Sequence, residues 1–327
     1  MSNNQPTLML FVALLTLLIP ISLSFWIISL LASGKHHDSP SPLRWFVSFI
    51  VPIIMIIHGY TKKHLDITGV VAAFIVGFFL TLSNYCFMTC MLAFFLTSSR
   101  ATKYMGHLKR KVEADYEKSS RRNWLQVVCN GGIALQFALF YILERGIAEE
   151  TPINFKQDYH ASWFAMAVMG SIACCNGDTW ASELGIVLSK SDPVLITTLH
   201  KVPKGTNGGV TIMGLILSAT GGLVIGFVYY TTLLLCINRG VLAISPDQWP
   251  VIVIGLLAGL IGSIIDSLLG ATLQYSGLDM RSRTVVENSG EHVRWISGVR
   301  LLDNHSVNLL SSLAMAVITP GIAQMFW

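Results

Sequence analysis

A chain of 327 residues with 53% hydrophobic and only 12% charged side chains lies far below the ~25% charge of an ordinary soluble domain, which excludes a water-soluble globule. The net charge of +4 is small, and the basic residues stand in loops between apolar runs with no reader fold, which excludes nucleic acid as a partner. What remains is an all-α integral membrane protein, a polytopic transmembrane helical bundle. No Pro/Ser linker or low-complexity tract divides it, so residues 1–327 read as a single membrane domain.

Nine apolar runs read as membrane helices: 8–32, 44–60, 67–82, 84–98, 124–143, 161–176, 209–236, 249–271 and 306–326. About twenty apolar residues cross a hydrocarbon layer of ~30 Å. The first run is too long for a signal-peptide core and is preceded by no positive charge, so it reads as a retained helix. The third and fourth are each short, and the chain breaks between them at Ser83, Asn84 and Tyr85.

Nine crossings place the linkers alternately on two faces. Linkers 61–66, 99–123, 177–208 and 272–305 share one face and carry 17 of the 22 basic residues. The other face keeps Lys35, Arg44, Arg145, Lys156 and Arg239. Positive residues stay cytoplasmic, so the richly basic face is expected to be cytosolic.

All six cysteines fall inside apolar runs without a C-x-x-C spacing, which reads as small core residues rather than disulfides or zinc ligands. The histidines form no H-x-x-x-H or H-E-x-x-H pair, and no G-x-S-x-G elbow occurs.

Polar residues gather on the basic face. In NGDTWASELG, Asp178 and Glu183 are expected at a helix–loop boundary beside Gly177 and Gly185. Carboxylates at a membrane edge suit Mg²⁺, which takes one or two of them plus phosphate oxygens and water. A solvated, capped helix end accounts for them equally well.

In VPKGTNGGVT, Lys204 supplies a point charge, while Gly205, Gly208 and Gly209 let backbone N–H groups approach an anion. Thr206 and Asn207 add donors just before a helix start. This is a phosphate-binding arrangement without being a Walker sequence; a turn with a helix cap is the plainer alternative.

Asp266 lies inside the eighth run, where an ionisable group is costly and faces a polar cavity. Asp303, Asn304 and Asn308 open the last run, as caps or ligands. The basic linker 99–123 suits anionic lipid, yet Lys103 and the Arg121–Arg122–Asn123 group abut helix ends where phosphates come within reach. Gln126 and Asn130 extend that polar face inward.

Together LDITGVVAAFIVG, SSRATKYMGHLK, RRNWLQVVCNGG, GDTWASELG, VPKGTNGGVT, DSLLGATLQ and LLDNHSVNLLSS resemble the transmembrane protein 19 family across nearly the whole chain. That family includes plant phytyl-phosphate kinases. The resemblance implies phosphoryl transfer from a nucleoside triphosphate, chiefly CTP, to an isoprenyl phosphate lipid. It implies Asp178 and Lys204 as catalytic residues, and Mg²⁺ held among Asp178, Glu183, Asp266 and Asp303. Lys103, Arg122, Asn123, Gly205, Thr206, Asn207 and Gly208 would face the nucleotide.

A weaker likeness joins G-D-x-x-A and P-K-x-T-x-x-G elements to dolichol kinases and phosphatidate cytidylyltransferases, which usually carry a second Lys where this chain has Gly205. The rival readings are therefore a lipid-phosphate cytidylyltransferase and a non-enzymatic lipid transporter or binding protein. A transporter would set polar groups near mid-bilayer between inverted repeats, whereas here they cluster at one face. No K-D-E-L or S-K-L end occurs, and the endoplasmic reticulum is the default expectation for the membrane.

Overall fold

The computed structural model describes residues 18, 20–28, 40–106, 121–147 and 150–327. Residues 18 and 20–28 are helical; the rest of the expected first helix lies outside the described residues, as do Lys109, Arg110, Lys111 and Lys118. The long helices that follow are α1 (Pro42–Thr61), α2 (Ile67–Ser83), α3 (Tyr85–Lys103), α4 (Trp124–Arg145), α5 (Tyr159–Leu188), α6 (Ile212–Cys236), α8 (Pro250–Leu273) and α9 (Asn304–Ala323). A short α7 (Arg239–Ile244) joins α6 to α8. Among the described residues, α1, α4, α6, α8 and α9 are long and apolar enough to cross a membrane. The chain is a helical membrane bundle.

Helix boundaries follow local chemistry. Asn84 ends α2 and starts α3: its backbone N–H donates to Leu80 O and its side chain accepts from Cys86 N. Asn123 and Gln126 close a reciprocal capping box at the start of α4. Asp303 caps α9, accepting from Ser306 N at 2.8 Å.

The largest departure from the sequence reading is α5, which does not stop at residue 176 but continues to Leu188. Asp178 and Glu183 therefore stand within a helix and not at a helix–loop boundary. The glycines that suggest a break serve packing instead. A Cβ at Gly177 would lie 2.7 Å from Ser218 O and 2.8 Å from Gly259 Cα, so the backbones of α5, α6 and α8 touch there, as small residues permit in membrane helices. Likewise α3 runs on to Lys103, bringing Arg100 and Lys103 into its last turn, where cations complement the helix dipole.

Helix α5 is central, packed against α3, α4, α6, α8 and α9. Met166, Met169 and Ile172 of α5 are fully buried with Ile225 and Leu233 of α6 and Ile254 of α8. Asn176 pins this core: its Nδ2 donates to Gly221 O at 2.8 Å, and its Oδ1 accepts from Thr97 and Ser98 of α3. Of the cysteines, Cys86, Cys90, Cys129, Cys174 and Cys175 are buried and Cys236 is exposed, all as free thiols. On the sparsely basic face, Arg44 and Glu150 form a buried ion pair at 2.6 Å.

Two small antiparallel sheets on the basic face were absent from the sequence reading. One pairs β1 (Val194–Leu195) with β2 (Gly209–Val210); the other orders β4 (Val285–Val286), β3 (Ser276–Asp279) and β5 (Val293–Ser297) with β3 in the middle. The second sheet hangs between the end of α8 and the start of α9.

Candidate functional site

The site forms where α4, α5, α8 and α9 converge near the basic face. Asp178 of α5 accepts from Ser263 Oγ of α8 at 3.2 Å. Asp266, almost one turn further along α8, accepts from Ser311 Oγ of α9 at 3.0 Å. The two carboxylates, 88 positions apart in sequence, lie within each other's electrostatic reach. With its amide nitrogen turned towards α8, Asn308 donates to Asp266 Oδ2 at 3.3 Å and Asn304 O at 3.1 Å; in the opposite orientation that nitrogen donates instead to Asn130 Oδ1 of α4 at 3.4 Å. Asp266 is seven residues from the end of α8 and Ser311 seven from the start of α9, so at 1.5 Å per residue the cluster lies about 10 Å below the helix ends.

Arg122 extends the cluster towards α2 and α3. It feels the Glu183 carboxylate of α5, stands 5.5 Å over the Phe94 ring, and is tied to the α1–α2 turn by backbone hydrogen bonds to His64 and Asp66. Burial, stronger here than the attraction of Glu183, holds its guanidinium below the usual arginine range. His64, in the same turn, is pushed down to about 4, first by burial and then by Lys103, Arg122, His58 and Lys62. Lys103 donates to Lys62 O, and burial together with Arg121, Lys62 and Lys63 draws its ammonium down as well. These charges form one cationic corner.

That corner caps an apolar cavity of about 90 Å³ between α1, α2, α3 and α4. Pro52, Ala73, Gly77, Leu80 and Met88 line its deep part; Arg122, Gln126 and Asn130 line its polar end. Nothing in the local sequence signalled this cavity, because its walls come from helices that look uniformly apolar.

The glycine-rich turn has a different setting. Gly205 and Gly208 adopt φ of +90° and +77°, a left-handed conformation that explains glycine at both positions. A Cβ at Gly208 would fall 2.6 Å from Ser267 O, so the turn presses on α8. The amides of Thr206, Asn207 and Gly209 donate to Pro203 O, Ser276 Oγ and Thr206 O. Lys204 Nζ donates to Ser189 O at 2.8 Å and Ile186 O at 3.2 Å, satisfying the last carbonyls of α5. The turn thus clasps the end of α5 to α8, while its protein-bonded amides and ammonium leave it less to offer a phosphate than the sequence suggests.

Of the four expected metal ligands, the fold unites Asp178 and Asp266. Glu183 lies within electrostatic reach of Arg122, and Asp303 is engaged as a helix cap held below the usual carboxylate range, chiefly by Ser306. Among the described residues no three His, Cys, Asp or Glu side chains form a metal cage. Two half-buried carboxylates beside hydroxyl and amide groups still suit Mg²⁺, which binds through one or two carboxylates and completes its shell with water and substrate phosphates. Asn123 is occupied by its capping box.

The profile of the "Integral membrane protein DUF92" family matches residues 50–316. Protein PGR of Arabidopsis thaliana is 38% identical over 282 residues, covering 86% of this chain and 97% of its own. An uncharacterized membrane protein of Methanocaldococcus jannaschii is 27% identical over 237 residues, covering 72% of this chain and 86% of its own. No solved structure matches. With its profile match spanning most of the chain, this protein belongs to the integral membrane DUF92 family.

Proposed function

We propose that this protein is a membrane phosphotransferase that converts an isoprenyl monophosphate to the diphosphate at the cytosolic face, with CTP as donor. The observation that carries this reading is the junction of an apolar cavity with a charged cluster. The cavity between α1 and α4 ends on Arg122, Gln126 and Asn130, and Asn308, whose amide meets Asn130 in one orientation and Asp266 in the other, stands between that polar end and the acidic pair. An amphiphile with a hydrocarbon tail and an anionic head matches that polarity. The tail would enter among the helices, beginning in the small cavity and extending into lipid, while Arg122 would meet its phosphate.

Phosphoryl transfer depends on positioning and on neutralising charge at the transferring group. Asp178 and Asp266 would hold Mg²⁺, which supplies charge neutralisation across the donor phosphates. Ser263 and Ser311 fix the two carboxylates, while Arg122 and Lys103 keep the acceptor phosphate near them. The nucleotide preference rests on the resemblance to prenyl-phosphate kinases, not on the geometry.

The test is isotopic. Purified protein with prenyl monophosphate and CTP should place label from the γ-phosphate in the lipid product and leave α-label in the nucleotide. Lipid labelled from the α position would establish the cytidylyltransferase instead. No transfer of either label would favour a lipid-binding or transport protein.

A further inference from the structure

The α1–α2 turn sets an unengaged histidine at the polar end of the apolar cavity. His64 is fixed through its backbone: its N–H donates to Gly59 O at 2.7 Å, and its carbonyl accepts from Arg122 N at 2.9 Å. The half-buried imidazole stands edge-on to the Phe95 ring, 6.3 Å between centroids. Phe95, with Leu65 and Arg122, lines the cavity. Among the described residues no hydrogen bond engages the imidazole nitrogens.

The groups that act on His64 are all basic. They are Lys103 at the end of α3, Arg122 before α4, His58 of α1 with its ring 6.4 Å away, and Lys62 of the turn. Lys63 and Arg121 stand beyond, acting on Lys103. The carboxylates of this corner are already engaged. Asp66 caps α2 through Gly69 N and Thr68 Oγ1, and Glu183 acts on Arg122. Positive charge therefore gathers at the end of an apolar cavity, and the histidine in its midst goes without a proton.

We propose that His64 is a binding residue for a phosphate monoester head and takes up a proton from solvent as that head arrives. The identity of the ligand rests on the phosphotransferase reading above. A negative charge within ~4–6 Å favours the protonated form of a group by about 1–3 pKa units, and a monoester near pH 7 carries about 1.5–2 such charges. That is enough to return His64 from about 4 to the neighbourhood of its ordinary 6.5. A diester phospholipid brings one charge and about half the effect, so the corner selects the monoester. Once charged, the imidazolium donates to a phosphate oxygen, while its contact with Phe95 holds the head where the hydrocarbon enters the cavity.

Titration calorimetry tests this with farnesyl monophosphate and the full-length protein in detergent. Run at pH 6.5 in buffers of different ionisation enthalpy, it counts protons taken up per ligand bound; γ-transfer is measured alongside. Wild type should take up about half a proton or more beyond His64→Asn, and that variant should bind about tenfold more weakly. His64→Gln repeats the comparison with a longer side chain, and melting temperature reports that the fold is kept. His58→Asn, at the exposed neighbour, should keep the wild-type count. Equal counts in wild type and both His64 variants would overturn the assignment and leave the kinase reading intact if γ-label still transfers. Uptake that depends on His64 without any γ-transfer would uphold the site and overturn the kinase. Inorganic phosphate should bind at least about tenfold more weakly than the ester; equal affinity with equal uptake would make this a free-phosphate site and overturn the lipid-head assignment. No binding of farnesyl monophosphate by wild type would overturn both readings.

Discussion

Gly177→Ala tests whether close helix packing sets the geometry of the acidic pair. The added Cβ would stand 2.7 Å from Ser218 O and 2.8 Å from both Gly259 Cα and Gly259 O. All three are backbone atoms, so no side chain can rotate away. Ordinary contact begins at 3.4 Å, so α5 must move from α6 and α8 by up to 0.7 Å. Overpacking of this kind costs about 1–3 kcal/mol. At roughly 2 °C per kcal/mol, the lower figure for larger chains, the melting temperature should fall by about 2–6 °C. The same movement would stretch the 3.2 Å Ser263–Asp178 bond to about 3.9 Å, beyond hydrogen-bond range, so turnover should fall more than stability does. Gly321→Ala is the control: nothing lies within 4 Å of its added Cβ, and alanine favours a helix over glycine by up to ~1 kcal/mol. Thermal melting in detergent and the γ-transfer assay read both variants. Wild-type melting and turnover in Gly177→Ala, or equal losses in Gly321→Ala, would refute the packing argument.

Asp178→Asn keeps shape and removes charge; it should abolish γ-transfer while moving the melting temperature by only a degree or two, and a folded, fully active variant would make Asp178 structural. Lys204→Ala leaves two carbonyls at the end of α5 without their cation; hydrogen bonds to charged groups contribute about 1.5–3 kcal/mol, so its melting temperature should drop, more than its CTP affinity, and a selective loss of affinity would return Lys204 to the nucleotide. His64 is held neutral in the fold, down at about 4 against 6.5. The unfolded chain then binds the extra proton between those values, so stability is fully present above pH 6.5 and lost as pH falls towards 4. His64→Asn should flatten that part of the melting-temperature profile, and an unchanged slope would assign it to other groups.

The helices were legible because a long apolar run placed in lipid must satisfy its own backbone, and a helix does so within one segment. Even the break between α2 and α3 could be read, since Asn84 carries both caps within four residues of itself. The end of α5 could not. Gly177 and Gly185 look locally like turn glycines, and their real neighbours, Ser218, Gly259 and Gly214, lie on other helices far along the chain. The β3–β5 sheet was hidden for a related reason. It is short, irregular at Ser276/Gly277 and rich in turn residues, so its alternation is too brief to stand out from a loop.

The site divides along the same line. Asp178, Asp266, Arg122 and Asn308 were each conspicuous as polar residues at the edge of apolar runs, but sequence spacing has no means of showing that Asp178 comes within reach of Asp266 while Glu183 comes within reach of Arg122. That choice is made by the glycine contacts joining α5, α6 and α8, which fix how far one helix slides and rotates against another. Ser263 and Ser311, absent from the sequence reading, show the consequence. Each is an ordinary hydroxyl in its own helix, yet the packing brings one to each carboxylate at 3.2 and 3.0 Å. The proposed chemistry therefore depends on small residues as directly as on charged ones: the acids would supply the ligands, and the glycines determine that two of them share one place about 10 Å below the helix ends, beside the polar end of the apolar cavity.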